Sequence, residues 1–435
     1  MATIRNCLKC EVCNAVTLVR IQIGWLDSHP IRYNCGNCGI LISGIANYDQ
    51  KNIDYHLSFK NALRVDETQA EYYVEISGEL LTKKVENCKK GEPPLYTPPF
   101  FESLWKMGNE NYDLFKKSTL QFNCFIKEKW PKLRRINELY FNNKKEYLVE
   151  ELKKVFPKCT FYVDNDLTNL MGVHQLNVYC LYPVISKNFF KKITGFLFNN
   201  ILDFTNTQKS ELEKLLEDFR KKGLFKEYNL TIFKEITKFI ENFQFLIPAF
   251  GLQFYKEIPE DFKENNGIST TTFEDLKQFY LDCYESIGDL LRIIVAFNNL
   301  KHRRDFKKCL PIRRDVLVLS DFDKKTKGEK IDYITQGESF DILISLKLNN
   351  KIRNAIGHNR YKYDGLNQLI TAFNLDGTVS DTVYLIDFVE ECLYFFWSLI
   401  NISELIYQCE KINLIKDGNI PINKEYFSKD NPPSF

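Results

Sequence analysis

Two cysteine pairs near the start of the chain constrain its folding more than any other feature. The stretch CLKCEVCNAVTLVRIQIGWLDSHPIRYNCGNCGILISG, Cys7 to Gly44, places C-x2-C spacings on either side of an alternating strand and a turn. With two residues between them, both sulfurs of a pair reach one metal ion while backbone amides bond to them, and four thiolates give Zn²⁺ a closed tetrahedral shell. This is the pattern of a zinc ribbon. The expected ion is structural, because four protein ligands leave no open position for catalysis, and its role is to fold a module whose own core is thin. The second pair is Cys35 and Cys38, whereas the first is either Cys7 with Cys10 or Cys10 with Cys13. The residue after the second cysteine of such a knuckle often takes a left-handed backbone, which glycine and asparagine tolerate best. Gly39 follows Cys38 and Asn14 follows Cys13, but Glu11 follows Cys10. The expected ligands are therefore Cys10, Cys13, Cys35 and Cys38, with Cys7 a spare thiol.

Beyond the ribbon, NIDYHLSFK and AEYYVEISGELL alternate apolar and polar residues and read as strands of the same module, residues 1–90. The proline-rich KKGEPPLYTPPFF then marks a linker that continues neither helix nor central strand. A helical middle domain, residues 101–262, follows as the expected sensing or regulatory part. In it Ser210 and Glu213 form a capping box ahead of Leu212, Leu215, Leu216 and Phe219 on one helix face. The segment FYVDNDLTNLMGVHQLNVYC is mixed and admits strands, with His174 a hydrogen-bonded core histidine. A polar stretch leads into the third region, residues 270–435, where Thr271 and Glu274 make a second capping box. There the periodicity predicts long helices, including SFDILISLKLNNKIRNAIG and VYLIDFVEECLYFFWSLINISELIYQCEK. The expected fold class is mainly α, with an antiparallel helical bundle at the C-terminus, a helical middle domain and a small N-terminal zinc-ribbon β module.

Opposed totals of 59 basic and 57 acidic residues exclude a global electrostatic case for nucleic acid, so such a case must rest on local clusters. No segment reads as a targeting or membrane element. Eight of the 13 cysteines are scattered singly, which suits a metal site plus reduced core thiols and points to a cytoplasmic location.

The stretch KIRNAIGHNRYKYD, Lys351 to Asp364, carries the expected chemistry. Arg353 interrupts a largely apolar helix surface, and a long cation there must find an anion or reach water. On a regular helix His358 lies about 140° from Arg353, and Gly357 is placed to distort the last turn and bring the imidazole round. A histidine titrating near neutrality takes a proton from a 2′-hydroxyl or gives one to a departing 5′-oxygen, while an arginine neutralises the phosphate between them. Asn354 either holds that phosphate, orients the histidine or is a plain surface amide. The same region crowds Lys301, His302, Arg303, Arg304, Lys307, Lys308, Arg313 and Arg314 into one connection, a candidate RNA groove.

RNAIGH resembles the RN-x3-H form of the R-x4-6-H signature of the HEPN superfamily, at Arg353, Asn354 and His358. The resemblance covers about 270–410. It implies a homodimer whose two motifs form one composite site for metal-independent RNA cleavage. From the basic residues themselves, Lys301, Arg303, Arg304 and Arg360 are the expected RNA contacts. The resemblance also implies a toxin or an antiviral-defence effector restrained by a regulatory trigger or inhibitor. Some HEPN toxins carry a tyrosine two residues after the histidine as a target for silencing; Arg360 stands there, with Tyr361 one place later. Two other readings are a non-catalytic HEPN module binding a nucleotide or partner protein, and a zinc-ribbon nucleic-acid-binding scaffold.

Overall fold

The computed structural model describes residues 2–49, 54–66, 69–88, 96–185, 187–344, 348–426 and 433–434. Most of the proline-rich linker, 89–95, lies outside them. The fold is mainly helical with a small N-terminal β region. The chain forms two compact units, each drawn from three separated stretches: Met1–Leu120, Lys238–Cys283 and Asn349–Leu393 in the first; Gln121–Thr237, Tyr284–Leu348 and Tyr394–Phe435 in the second. Residues 1–90 thus lie wholly in the first unit, whereas the second and third regions distinguished by sequence each contribute to both. No helix among the described residues is long and apolar enough to cross a membrane.

The described strands all belong to the first unit. They are β1 (Ala2–Cys10), β2 (Val16–Ile23), β3 (Ser28–Asn34), β4 (Leu41–Asp49), β5 (Asp54–Lys60), β6 (Ala62–Val65), β7 (Tyr72–Ser77), β8 (Thr82–Lys83), β9 (Glu86–Asn87), β10 (Asn266–Gly267), β11 (Tyr361–Asp364), β12 (Leu369–Phe373) and β13 (Val379–Tyr384). The order β6-β1-β2-β7-β9 makes one sheet and β3-β4-β5 another, and β8 pairs with β10. β2 lies antiparallel to β1 and parallel to β7, Val19 facing Val74 and Ile21 facing Ile76. Leu8, Val19, Ile21, Ile31, Ile42 and Ile76 are fully buried in the shared core. The strands expected in NIDYHLSFK and AEYYVEISGELL are β5 and β7.

A buried carboxylate organises the turn between β2 and β3. Glu79 Oε1 accepts hydrogen bonds from the amides of Trp25 (2.9 Å) and Leu26 (3.0 Å), and Ser77 donates to Oε2 (3.3 Å). His29 Nδ1 stands 3.5 Å from Oε2, and both side chains are wholly excluded from solvent. The pair fits because Gly24 and Gly78 lack a side chain: a Cβ at Gly24 would meet Glu79 Oε1 at 2.5 Å, and one at Gly78 would meet His29 Nδ1 at 2.6 Å. Burial alone would lower the imidazole pKa, but the Glu79 carboxylate and the Leu26 carbonyl raise it above its ordinary 6.5.

The region expected to be an all-α bundle contains a three-stranded antiparallel sheet, β11-β12-β13. Its strands are rich in β-branched and aromatic residues, and Asp376 and Gly377 close the β12–β13 hairpin: Gly377 takes φ 81°, and Asp376 accepts from the Thr378 amide (3.0 Å). Nor is SFDILISLKLNNKIRNAIG one helix. Ser339–Leu343 is a 3₁₀ turn, and a separate eight-residue helix spans Asn350–Gly357. The turn is fixed by side chains, with Phe340 N donating to Asn298 Oδ1 (2.7 Å) and Glu338 N to Asp341 Oδ2 (2.8 Å). The largely apolar helix surface expected around Arg353 is therefore confined to the short helix Asn350–Gly357.

Two caps also differ from the reading by sequence. Thr272 and Asp275 form the box before the helix Phe273–Arg303, one residue later than Thr271 and Glu274, with Asp275 Oδ2 accepting from Thr272 N (2.9 Å). The helix Lys209–Lys221 has Gln208 at its N-cap, so Ser210 lies inside the first turn. In the second unit, FYVDNDLTNLMGVHQLNVYC forms no strand: Asp166–Leu181 is helical, with Asn165 Oδ1 capping Thr168 N (2.9 Å). That unit packs Phe204, Phe297 and Phe340 together, and Arg292 bonds to Asp218 (3.1 Å) and Asp323.

Glu79→Ala leaves two buried amides without acceptors and an imidazole without its counter-charge, and is expected to cost about 3–5 kcal/mol in urea unfolding. Because the folded His29 pKa is raised, its share of stability is complete below the ordinary imidazole value and is lost as pH rises through the raised one. The stability gap between wild type and Glu79→Gln should accordingly be widest below about pH 6.5 and narrow above it.

Candidate functional site

The four expected cysteines come together. The sulfurs of Cys10, Cys13, Cys35 and Cys38 all lie within 4.8 Å of one another, with 3.7 Å between Cys10 and Cys38 and 3.5 Å between Cys13 and Cys35. A tetrahedron with metal–sulfur bonds of about 2.3 Å has edges of about 3.8 Å, so the donor set fits a metal ion such as Zn²⁺. Two turns of the same construction build it. Cys10 N donates to Ala15 O (3.0 Å) and Asn14 N to Cys10 O (3.0 Å); correspondingly, Cys35 N donates to Ile40 O (2.8 Å) and Gly39 N to Cys35 O (2.9 Å). Asn14 and Gly39 take φ values of 62° and 73°, the left-handed conformation that selected these two positions. Cys7 lies three residues before Cys10 on β1, which puts it on the opposite strand face, and it is not part of the cluster. The thiols differ in acidity: a hydrogen bond from the Ala15 backbone lowers Cys13 to about 6, while burial raises Cys35 to about 12.

Arg353, Asn354 and His358 occupy the short helix Asn350–Gly357 and its C-cap, all in the first unit. Asn349 starts the helix, its side-chain oxygen accepting from the amides of Lys351 (3.0 Å) and Ile352 (3.2 Å). Ile352, Ala355 and Ile356 face inward, whereas Asn354, Gly357 and His358 are exposed. Asn354 and His358 are one turn apart on that open face. Arg353, half-buried at its margin, donates from Nη1 to Asn354 Oδ1 (3.0 Å).

Gly357 does not distort the helix as expected. It stays helical, and the chain reverses two residues later at Asn359, with φ 52°. Asn359 N donates to Ile356 O (3.1 Å) and Arg360 N to Ala355 O (2.8 Å), the double bond of a Schellman cap with asparagine in the place glycine usually takes. Arg360 O then accepts from Phe373 N (2.9 Å), tying the cap to β12. His358 is the C-cap itself, held by its amide on Asn354 O (3.1 Å). The Tyr361 hydroxyl is engaged, receiving a bond from Lys277 (2.8 Å) and giving one to Glu274 (3.3 Å).

The basic connection between Lys301 and Arg314 belongs to the second unit, and several of its cations already hold carboxylates. Lys301 pairs with Asp203 (3.0 Å), and Arg313 with Glu329 (3.1 Å) and Asp332 (2.7 Å). Arg303 forks onto both oxygens of Glu338 (2.6 and 2.9 Å). His302 Nε2 sits against Ser339. Arg304, Lys307, Lys308 and Arg314 are exposed.

Sequence reasoning passed over Asn349, although an asparagine before a helical run is a legible N-cap signal. It took His174 as a core histidine; the structure pairs it with Glu404 (3.0 Å) and stacks it on Tyr407, ring centroids 3.5 Å apart. Asn349→Ala is expected to lower stability by about 1 kcal/mol. It should also speed amide hydrogen exchange at Lys351 and Ile352, the two amides its side chain caps.

Comparison of the chain with protein-family models, with curated proteins and with solved structures finds no match.

Proposed function

We propose that the chain is a metal-independent endoribonuclease acting through Arg353, Asn354 and His358, with a HEPN-like site completed by a second copy of itself. The observation that carries this reading is that Asn354 and His358 are both exposed one turn apart on a short helix, with Arg353 hydrogen-bonded to Asn354. In the reaction, a 2′-oxygen attacks the adjacent phosphorus as an imidazole takes its proton. The phosphorus–5′-oxygen bond then breaks, and an imidazolium returns a proton to the leaving oxygen. The guanidinium neutralises the charge that builds on the phosphate between these events, and Asn354 fixes the guanidinium's direction. One imidazole cannot be base and acid in the same step, so a second copy supplying a second His358 completes the chemistry. A nuclease of this kind would be held inactive until triggered, as a toxin or defence effector is.

The cysteine cluster has a separate role in this reading. Zn²⁺ bound by Cys10, Cys13, Cys35 and Cys38 would cross-link two turns and take no part in the reaction. Elemental analysis of the purified protein is expected to give one zinc per chain, lost in Cys38→Ser and kept in Cys7→Ser. Equal loss in both variants would point to a different ligand set.

Incubated with RNA in the presence of chelator, and with its activating partner where one is needed, the protein is expected to leave 2′,3′-cyclic phosphate and 5′-hydroxyl ends. His358→Ala should lower the rate about 10²–10⁴-fold, the usual contribution of a positioned acid–base group, and Arg353→Ala comparably. Cleavage that requires added divalent metal, or that survives both substitutions, would exclude this mechanism. Anion binding lost in Arg353→Ala without any cleavage would instead identify a binding module.

A further inference from the structure

The second unit has a cleft of about 450 Å³ that the proposed nuclease chemistry does not use. That volume lies in the range of sites for small metabolites. Its walls come from the helices Trp130–Phe141, Lys145–Val155, Asp166–Leu181, Lys209–Lys221, Leu224–Phe250 and Leu385–Lys416 and from the turns between them. The chain reverses at Asn143 (φ 53°), ahead of Lys144, and at Gly223 (φ 69°), ahead of the helix that carries Lys226. Lys144 N donates to Leu139 O (2.9 Å), which ties the first reversal to the helix before it.

Four cations line the cleft: Lys144, Lys145, Arg220 and Lys226. Two of them are answered, Lys145 by Asp166 (2.6 Å) and Arg220 by Asp417 (2.9 Å). Lys144 and Lys226 are exposed and hold no carboxylate among the described residues. The remaining acid of the lining, Glu410, does not supply a full counter-charge. It accepts from Asn229 (2.9 Å), and burial raises its carboxyl to about 7, so that below neutrality it is mostly uncharged. The cleft therefore carries a surplus of positive charge at its exposed lysines.

The same lining has an apolar share, in which Leu139, Phe141 and Leu414 are half-buried. It also holds a polar group left over by the fold. Asn169, 2 % exposed, spends its Nδ2 on Tyr162 O (3.0 Å), and its Oδ1 meets no hydrogen-bond partner. A buried acceptor without a partner is costly to the folded protein, and a P–O–H or hydroxyl group of a ligand is the kind of donor that relieves it. A wholly polar anion would leave the apolar wall uncovered, and an uncharged apolar molecule would leave both lysines unanswered.

We propose that this cleft binds a small organic phosphomonoester, its phosphate answering Lys144 and Lys226 and its apolar body laid against Phe141 and Leu414. A phosphomonoester carries about −1.5 to −2 charges near neutrality, which matches two unanswered lysines, whereas a carboxylate supplies one. The site is independent of the nuclease reading, because none of its residues belongs to the RNAIGH motif.

Calorimetric titration of the full chain at about pH 6.5, where such an ester is still largely doubly ionised, tests the assignment with 1-naphthyl phosphate, 1-naphthoate, 1-naphthol and inorganic phosphate. The naphthyl phosphate is expected to bind at least roughly tenfold more tightly than each of the other three, the usual size of one charge-assisted hydrogen bond or one buried apolar group. Combining Lys144→Ala with Lys226→Ala should weaken it by at least about tenfold and leave 1-naphthol affinity unchanged. Both lysines are exposed and unpaired, so this variant is expected to fold. No binding of 1-naphthyl phosphate, binding of any of the other three molecules as tightly, or undiminished affinity in the double variant would each overturn the proposal.

Discussion

Glu79 is held with no solvent contact by two backbone amides, a serine hydroxyl and the charge of His29, and the first unit closes around that arrangement. A carboxylate taken from water loses several kcal/mol of solvation, which only such a set of partners offsets. Its location explains the glycines at positions 24 and 78, where any side chain would strike the pair. The same constraint orders the second unit. Arg303 is held by Glu338, Arg292 by Asp218 and Asp323, and His174 by Glu404. In these places a buried charge is met by an opposite charge.

This constraint changes how the basic cluster is read. As a string, Lys301 to Arg314 looks like a phosphate-binding run. In three dimensions Lys301, Arg303 and Arg313 are joined to carboxylates that lie 98, 35 and 16 or 19 residues away in the chain. An arginine forked onto a glutamate is already neutralised in the bidentate geometry that phosphate would otherwise use. The exposed cations Arg304, Lys307, Lys308 and Arg314 are the ones that retain a long-range field.

Around Arg353 the decisive feature is local. A helix of eight residues has few turns to stabilise it, so its ends carry much of the burden. Asn349 satisfies two amides at one end, and the Asn359 cap satisfies two carbonyls at the other. Between those caps, Lys351, Asn354 and His358 are exposed on one face. Arg353 reaches that face through the neighbouring amide and not through a bend at Gly357.

What the sequence by itself determined is what short-range chemistry dictates. The choice of Cys10, Cys13, Cys35 and Cys38 rested on two residues able to take a left-handed backbone, and the geometry of Asn14 and Gly39 follows that rule because the steric limit acts within one residue. β5, β7 and the long amphipathic helices were legible for the same reason, their periodicity being set by local geometry. The tertiary structure alone decided where SFDILISLKLNNKIRNAIG breaks, since Asn298 captures the Phe340 amide from 42 residues away. It also decided that β11, β12 and β13 form a sheet in a region expected to be an all-α bundle, because a strand needs a partner strand. The cleft in the second unit is the extreme case. Lys144, Lys145, Arg220 and Lys226 are unremarkable in sequence, and line one cleft only when the elements that carry them are packed together.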